Sequence, residues 1–451
     1  MNRDRKILTG AEMRASEQRA IAAGASEAGL MQAAGTGAAD LIAPLVEGRP
    51  VLILCGSGNN GGDGYVAAEA LRRAGAEVTV AAFAVPGKEP ASMAAQAWRG
   101  KTQAPQSAKP AAVFVDALFG TGLTRPVGDP YHAELMRLAD AAEMRIALDM
   151  PSGIDADHGA CLSDVARFDR TMAFGALKPS HLLYPAAAFC GQIEVVPLDI
   201  DTAAAAAFVL TAPERLESDP AAHKYQRGSV AIAAGAMPGA AWLAARAAQR
   251  AGAGFVTVAG NIHAFPPSSL VMRDIGDLKA QRIDAAVVGP GLGQGDDARQ
   301  AAISFLDLDI PLVIDGDMFS LFSEEHVRLA GRGDIMTPHE GEFVRFFGEV
   351  PGSKVDRARA AAMKSGNVIV LKGADTVVAS PDGEVAVNEH AHPRLAVAGS
   401  GDILAGAIAA ERARGRPAFE AACAGVWRHG DAGIRGRDGL IAEDLLELIR
   451  Q

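Results

Sequence analysis

The 451-residue chain is short of aromatics, 5% of its residues, and of cysteines, of which it has four. Sparse aromatic bulk beside 50 glycines and many alanines suits thin, closely stacked layers of helix and strand. Cys55, Cys161, Cys190 and Cys423 are far apart, form no metal-ligand spacing and no disulfide framework, and so point to a reducing cytoplasm. Positive charge is also in deficit: 43 Lys and Arg face 54 Asp and Glu, a net charge of -11. The basic footprint of a nucleic-acid binder is therefore not expected. Phosphates would have to be held locally, by loops, helix ends and single cations. No apolar run is long enough to span a membrane, and the polar first ten residues lack the apolar core of a signal peptide. The length suggests two or three domains with ample core.

What is present is a repeated alternation of strand and helix. The first half is organised around residues 51–65. Val51 to Cys55 reads as a buried strand. A glycine-rich turn follows, and a helix is expected from about Asp63 to Ala74. A strand, a glycine turn and a helix N-terminus make an anion site, because free N–H groups and the helix dipole aim at the turn. Asn59, Asn60 and Asp63 add two amides and a carboxylate that a plain tight turn does not need. Upstream, Thr9 to Ala23 is a helix carrying Met13, Arg14 and Glu17, whose charged residues are expected to be mainly solvent-facing; Ala25 to Gly37 is a second.

Further strands are expected at Glu77–Phe83, Ala111–Val115, Met144–Leu148, Phe168–Phe174 and Ile193–Val196, with a helix at Glu89–Arg99. This rhythm implies a parallel sheet covered by helices. Ligands of such sheets bind outside the carboxyl ends of the strands. Asn59, Asn60 and Asp63 follow one strand, Asp116 ends a second and Asp149 a third, so all converge on one crevice. Each carboxylate alone could be an ordinary helix cap; three at matching ends favour a shared site.

These residues carry a resemblance. Residues 59–64, 116–123, 148–155 and 174–179 resemble the NAD(P)HX epimerase domain, over about Leu8 to Asp201. The resemblance implies a Rossmann-like three-layer αβα fold and the interconversion of the two epimers of hydrated NADH or NADPH. It implies potassium held by Asn60, Asp116 and Ser152, a hard cation on oxygen ligands. It also implies substrate contacts from Asn59, Asn60, Gly61, Gly62 and Asp63, from Gly120, Thr121, Gly122, Leu123, Thr124, Arg125 and Pro126, and from Asp149. Asp149 is the candidate for proton transfer. Gln32 stands where that family often has Glu.

Leu198 to Arg227 reads as the junction, a helical or irregular linker in which the alanine run Thr202–Ala207 favours helix, with Pro213 and Pro220 beyond it. A second α/β pattern begins at Gly228. Strands are expected at Ser229–Ala233, Gly254–Ala259, Asp284–Val288, Pro311–Ile314, Asp334–Met336 and Asn367–Leu371, each running into a polar, glycine-bearing loop. The stretch Ala396–Gly406 is decisive. Gly399 and Gly401 permit a turn whose N–H groups face a ligand, and a helix from Asp402 to Arg412 aims its dipole there. Asp402 alone could equally be a cap or a catalyst; with Lys372 and His339 also at strand ends, a site is favoured.

This half resembles the ADP-dependent NAD(P)HX dehydratase domain of the ribokinase-like superfamily, another αβα fold, and the order of the halves matches the fused bacterial repair enzymes. The boundaries implied are 1–212 and 213–451. By that resemblance Gly239, His339 and Asp402 line the hydrated-nucleotide site. Lys372, Gly373, Ala374, Asp375, Thr376 and Gly401 bind the adenine nucleotide, and Asp402 is the base. ADP is the co-substrate and magnesium its expected companion. Ser400 replaces the usual Thr, and Met318 a usual Ala; the roles of Asp315 and Asp317 stay open. A homo-oligomer, in that family a tetramer, is implied as well. The competing readings are a ribokinase-like small-molecule kinase with a nucleotide-binding regulatory half, and a first half that binds without turnover.

Overall fold

A computed structural model of the chain describes residues 2–216, 221, 223–260 and 269–449. It divides into two compact units, Arg5–Ala205 and Met1–Asp4 with Ala206–Gln451.

The first unit opens with a short strand, β1 (Lys6–Ile7), bridged through Ile7 to Leu177. Helix α1 (Gly10–Ala22) starts where Thr9 caps it: Glu12 N donates to Thr9 Oγ1 at 3.2 Å, and Thr9 N donates to Glu12 Oε2 at 2.7 Å. This reciprocal pair satisfies two donors the helix end leaves open. Helix α2 (Glu27–Val46) runs nine residues past the expected Gly37, because the apolar residues Ala38, Ala39, Ile42 and Val46 keep facing the core. The rest of the unit is β2 (Val51–Cys55), α3 (Asn59–Arg73), β3 (Val78–Ala82), α4 (Ala91–Ala97), β4 (Lys101–Gln103), β5 (Val113–Ala117), α5 (Tyr131–Asp140), β6 (Met144–Leu148), β7 (Arg170–Phe174) and β8 (Gln192–Val196).

The sheet runs β4-β3-β2-β5-β6-β7-β8 with every pair parallel. The central strands β2 and β5 are buried along their whole length, as a parallel sheet covered on both faces requires. Residues of α2 and α3 pack with Val51, Ile53, Val113 and Val115 on one face. Leu135 and Leu138 of α5 pack with Leu52, Leu54 and Phe114 on the other. Two expectations move. Helix α3 begins at Asn59, four residues before Asp63, so Asn59 and Asn60 lie in its first turn. Strand β5 is shifted two residues, placing Asp116 inside the strand and not at its end.

The second unit contains β9 (Ala207–Val209), β10 (Ser229–Ala233), α6 (Pro238–Arg250), β11 (Phe255–Ala259), β12 (Val271–Arg273), β13 (Ala285–Val288), α7 (Asp296–Leu306), β14 (Leu312–Ile314), α8 (Met318–Leu321), β15 (Ile335–Met336), α9 (Glu340–Phe347), α10 (Lys354–Ser365), β16 (Val368–Leu371), β17 (Val377–Ala379), β18 (Val385–Val387), α11 (Ser400–Ala413), α12 (Ala418–Arg435) and α13 (Ala442–Leu448). Its strands follow the order β9-β18-β17-β16-β15-β14-β13-β10-β11-β12. Pairs from β12 to β16 are parallel, while β16–β17 and β17–β18 are antiparallel. The core joins the alanine faces of α6 and α11 to α12 and α13. The layered α/β class expected for both halves is what forms.

Of the helical or irregular forms expected of the junction, the irregular one is found and the favoured helix is not. Residues 202–207 form no helix, and β9 pairs in parallel with β18. A run of five alanines is too short to carry a costly helix nucleus, and Phe208 and Val209 gain burial in the sheet. The units therefore divide at 205/206 and not at 212/213. Pro220 lies outside the described residues. Among those described, no helix is long and apolar enough to cross a membrane.

Candidate active sites

In the first sheet the chain order reverses between β2 and β5. Loops leaving neighbouring strands part there and open a crevice at the carboxyl ends. Asp116 is fully buried in it. Leu118 N and Ser152 Oγ donate to its Oδ1 at 3.0 and 2.9 Å, and Ser152 N donates to Oδ2 at 2.8 Å. Burial pushes its carboxyl up to about 6 despite these donors. Ser152 Oγ also accepts from Phe119 N at 2.9 Å, which ties the loop after β5 to Asp116.

Asn60 brings a buried carboxamide whose oxygen and nitrogen have no hydrogen-bond partner among the described residues. Leaving such a group unpaired is costly, so the amide is placed for something other than the fold. A side chain at Gly120 would stand 2.9 Å from Asp149 Oδ2 and 3.2 Å from Asn60 Cγ. Asn60 and Asp149 thus flank one spot, and only glycine leaves it open. Thr121 N donates to Asp149 Oδ2 at 3.2 Å. Gly122, Thr124, Arg125 and Pro126 lie exposed along the same loop, while Asp63 is buried.

Asp149 itself has φ 61, a left-handed conformation that few non-glycine residues adopt and that concentrates at working sites. Lys178 Nζ donates to its Oδ1 at 2.5 Å and to Phe174 O at 2.9 Å. Lys178 is 1% exposed, so the pair is removed from water. Burial alone would raise the Asp149 carboxyl, but the Lys178 ammonium outweighs it and holds it below the ordinary range. His181 fixes the backbone of the same residue. Lys178 N donates to its Nδ1 at 2.9 Å, which leaves the proton on Nε2, 2.8 Å from Asp149 O. Burial pushes the ring down to about 4, keeping it neutral. Glu17, expected mainly on the solvent side of α1, is partly buried instead; burial and the Asp149 charge both raise its carboxyl. Burial, then Asp149, raises Asp63 as well. Two carboxyls pushed up thus neighbour one pushed down. Lys178, His181 and Glu17 were not identified from the sequence. The signals were the 174–179 stretch, which contains Lys178 and shares the family resemblance, and a charged Glu17 on the first helix.

In the second sheet the order reverses between β10 and β13. A cavity of about 490 Å³ opens there, lined by Gly239, Pro290, Asp317, Glu342, Gly399 and Asp402 among others. Gly239 and Asp402, expected at one site, both line this cavity. Helix α11 starts behind Gly399, whose φ of 87 suits glycine and which provides no side-chain cap, leaving the first N–H groups open. Ser400 Oγ lies 2.8 Å from His429 Nε2, so the hydroxyl that replaces the usual Thr is engaged in the protein.

Lys372 Nζ donates to Asp315 Oδ1 at 2.6 Å and stands 3.7 Å from Glu342 Oε2. A side chain at Gly401 would come within 3.6 Å of the same ammonium. Burial opposes the charge on Lys372, but Asp315 and Glu342 more than restore it. Asp402 is pushed up to about 6, by burial first and then by Asp315, with Lys372 pulling the other way. Asp315 also accepts from Thr337 Oγ1 at 2.8 Å, and Asp317 Oδ2 accepts from Gly293 N at 2.8 Å. In the loop after β16, Asp375 is tied to Lys354 at 2.5 Å, and Thr376 Oγ1 donates to Gly373 O at 2.9 Å; Gly373 and Ala374 are exposed. His339 departs from expectation. It caps α9, its Nδ1 accepting from Gly341 N at 3.0 Å and Glu342 N at 3.3 Å, its side chain is 59% exposed, and it is not among the residues lining the cavity. It reaches the site through Glu342, whose Oε2 accepts from His339 N at 2.8 Å.

Family models agree with this division. One described as YjeF-related protein N-terminus matches residues 27–180, and one described as NAD(P)H-hydrate dehydratase matches 230–449. The bifunctional NAD(P)H-hydrate repair enzyme of Salinibacter ruber is 32% identical, over 98% of this chain and 95% of its own. The chain belongs to the bifunctional NAD(P)H-hydrate repair enzyme family. The member from Coxiella burnetii is 34% identical, over 97% of both chains. The solved ADP/ATP-dependent NAD(P)H-hydrate dehydratase of Bacillus subtilis, co-crystallized with ATP and Mg2+, is 30% identical over 53% of this chain and 92% of its own, with a TM-score of 0.44. Within this repair family, Gln32 in place of the frequent Glu is exposed on α2 and donates to Thr36 Oγ1 at 2.9 Å. Met318 in place of Ala is fully buried at the start of α8. Met318 N donates to Asp315 O at 3.3 Å, a bond that does not depend on its side chain.

Proposed function

We propose that the first unit interconverts the epimers of hydrated NADH and NADPH and that the second dehydrates the S epimer with ADP, giving NAD(P)H, AMP and phosphate. One observation supports this reading: at each switch point an aspartate with a shifted carboxyl lies in the field of a lysine, Asp149 held down by its contact with buried Lys178, and Asp402 pushed up by burial against the pull of Lys372.

In the first unit Asp149, kept ionised, accepts the proton of the hydroxyl on the hydrated carbon as the ring's N–C bond opens. Closure on the other face returns the proton. Gly120 leaves the space for that carbon, and the open N–H groups of α3 face the substrate phosphates. Asn60, Asp116 and Ser152 would hold potassium. The unpartnered amide and the carboxylate–hydroxyl pair supply hard oxygen donors that fit it. Bound there, the ion supplies fixed positive charge beside the substrate.

In the second unit Asp402 takes the proton from the substrate hydroxyl as that oxygen attacks the terminal phosphoryl group of ADP, releasing AMP. The phosphate then leaves with the electron pair of its C–O bond while the neighbouring ring carbon gives up a proton, and the C=C bond so formed restores the reduced ring. The open N–H groups of α11 and the Lys372 ammonium face the transferring charge. Among the described residues, Asp317, Glu342, Asp402 and Glu443 line the cavity against one lining cation, Arg345. Such a wall suits a nucleotide that arrives with magnesium, for which Asp317 is the placed carboxylate, and bound magnesium neutralises charge between the phosphates. Assembly as a homotetramer in a reducing cytoplasm belongs to the same proposal, and sedimentation of the purified chain tests the assembly. The activity is tested by supplying hydrated NADPH with ADP, with ATP or with neither. Recovered NADPH with release of inorganic phosphate supports the reading; a stable phosphorylated product would favour a kinase, and no recovery with either nucleotide would refute the dehydratase.

A further inference from the structure

Helix α1 turns one face inward. Gly10, Met13 and Ser16 are buried on it and Glu17 and Ala20 are half-buried, while Glu12, Arg14, Gln18 and Arg19 are exposed. The inward residues follow the three- and four-residue steps that put side chains on one face of a helix. Glu17 is the one charged residue on that face. A carboxyl placed there loses hydration, which is costly unless partners replace the water. Among the described residues it makes no hydrogen bond or ion pair that would offset the loss. Packing therefore gives no reason for a carboxyl at this position.

The same face rests on the two loops that carry Asp149 and Lys178. Gly10 N, at the start of the helix, donates to Asp157 Oδ1 at 2.7 Å in the loop after β6. Leu8 N donates to Leu177 O at 2.8 Å, one residue before Lys178. Met13 packs with Leu8 and Ala176, and a side chain at Gly175 would stand 3.2 Å from Met13 Cε. Glu17 lies one turn further along this face, in the field of both Asp149 and Lys178. Glu17 and Asp149 in turn both act on Asp63 of α3. The N-terminal helix thus brings a carboxyl without a partner to the crevice where Asp149 works. The chemistry has a place for it. When Asp149 removes the hydroxyl proton, the C–O bond becomes C=O, the C–N bond breaks, and its electron pair goes to the ring nitrogen. An anionic nitrogen is a poor leaving group, so a proton has to reach it as the bond opens. Asp149 is occupied at the oxygen, and the Lys178 ammonium is held by Asp149 Oδ1 and Phe174 O.

We infer that Glu17 is the general acid of the first unit, giving its proton to the ring nitrogen as the ring opens and taking it back as that nitrogen adds to the other face of the carbonyl carbon. Asp149 takes and returns the hydroxyl proton in the same two steps, so each cycle leaves both carboxyls as they began. This deepens the epimerase reading and rests on it. The charges around Glu17 suit the role. Burial, Asp149 and Glu27 raise its carboxyl, against Lys178 and Arg14. A ring seated over the crevice removes more water and raises it further, so the bound complex carries the proton at neutral pH.

The test uses the full chain in an Asp402→Asn background, which isolates epimerisation. Interconversion of the epimers of hydrated NADH is followed chromatographically, above the uncatalysed rate. Glu17→Gln keeps the shape of the side chain and removes the proton. It is expected to lower kcat about a hundredfold, the smaller end of what a positioned acid contributes, with KM and thermal unfolding close to those of the background chain. Glu17→Asp keeps the proton on a shorter arm and should recover part of the lost rate. The pH profile of kcat gives a readout that a structural role would not move. In the background chain kcat falls as alkaline pH removes the Glu17 proton, and the residual activity of Glu17→Gln lacks that fall. An unchanged kcat in Glu17→Gln, or an alkaline fall that survives in it, would overturn the assignment while leaving the epimerase reading intact. No interconversion by the background chain would refute the epimerase reading, and the assignment with it.

Discussion

Asp149 keeps its charge in a buried place because Lys178 is buried against it. Replacing Lys178 by Met leaves that carboxylate alone in the interior. Breaking one side of a buried pair costs about 3–5 kcal/mol, so Lys178→Met should lower the melting temperature of the first unit and abolish epimerisation at neutral pH. Thermal unfolding followed beside an epimer assay checks both. Gly120→Ala is a subtler change. Its new methyl would stand 2.9 Å from Asp149 Oδ2, so epimerisation should fall at least about tenfold while dehydration is untouched. The two aspartates also differ in proton affinity. Asp402 titrates at about 6, pushed up chiefly by burial, whereas Asp149 lies below its ordinary range. A base works when ionised, so lowering the pH from 7 to 5 should cut dehydration about tenfold and leave epimerisation nearly unchanged. A parallel loss of both activities would contradict the assignment. The same raised carboxyl means that Asp402, ionised at neutral pH, destabilises the fold; Asp402→Asn should therefore remove dehydration while raising the melting temperature.

Among the elements, buried strands are what an amino-acid sequence shows best. Val51–Cys55, Met144–Leu148 and Ser229–Ala233 are uninterrupted or nearly uninterrupted apolar runs, and the strands β2, β6 and β10 have those bounds. Boundaries fail where polarity and function coincide. Asp116 looked like a strand terminus because it is charged, yet its buried oxygens are satisfied by Leu118 and Ser152, which lets β5 continue through it. Asn59 and Asn60 looked like a turn because amides and glycines weaken helix propensity; the packing of α3 overrides this. The carboxylates at the sheet edges were legible in the sequence as a converging set, since a parallel α/β rhythm sends strand ends the same way. Lys178 was not legible as Asp149's partner. The contact spans 29 residues in sequence, and nothing local to Phe174–Pro179 announces which carboxylate its lysine will meet. His339, polar and near a strand end, caps a helix, stays exposed, and is joined to the cavity wall through Glu342.

At the scale of the whole chain, each unit has its own sheet, its own switch point and its own titrating centre. Removing magnesium by chelation should therefore stop dehydration and spare epimerisation. The central claim, one chain with two consecutive chemistries, is tested most directly with an equal mixture of both epimers of hydrated NADPH and excess ADP. NADPH recovery is followed for the parent chain, Asp149→Asn and Asp402→Asn. The parent should recover both epimers, Asp149→Asn should rapidly recover the S form alone, and Asp402→Asn should recover neither while still interconverting them. Recovery of both epimers by Asp149→Asn at the parent's rate, or any ADP-driven recovery by Asp402→Asn, would contradict it.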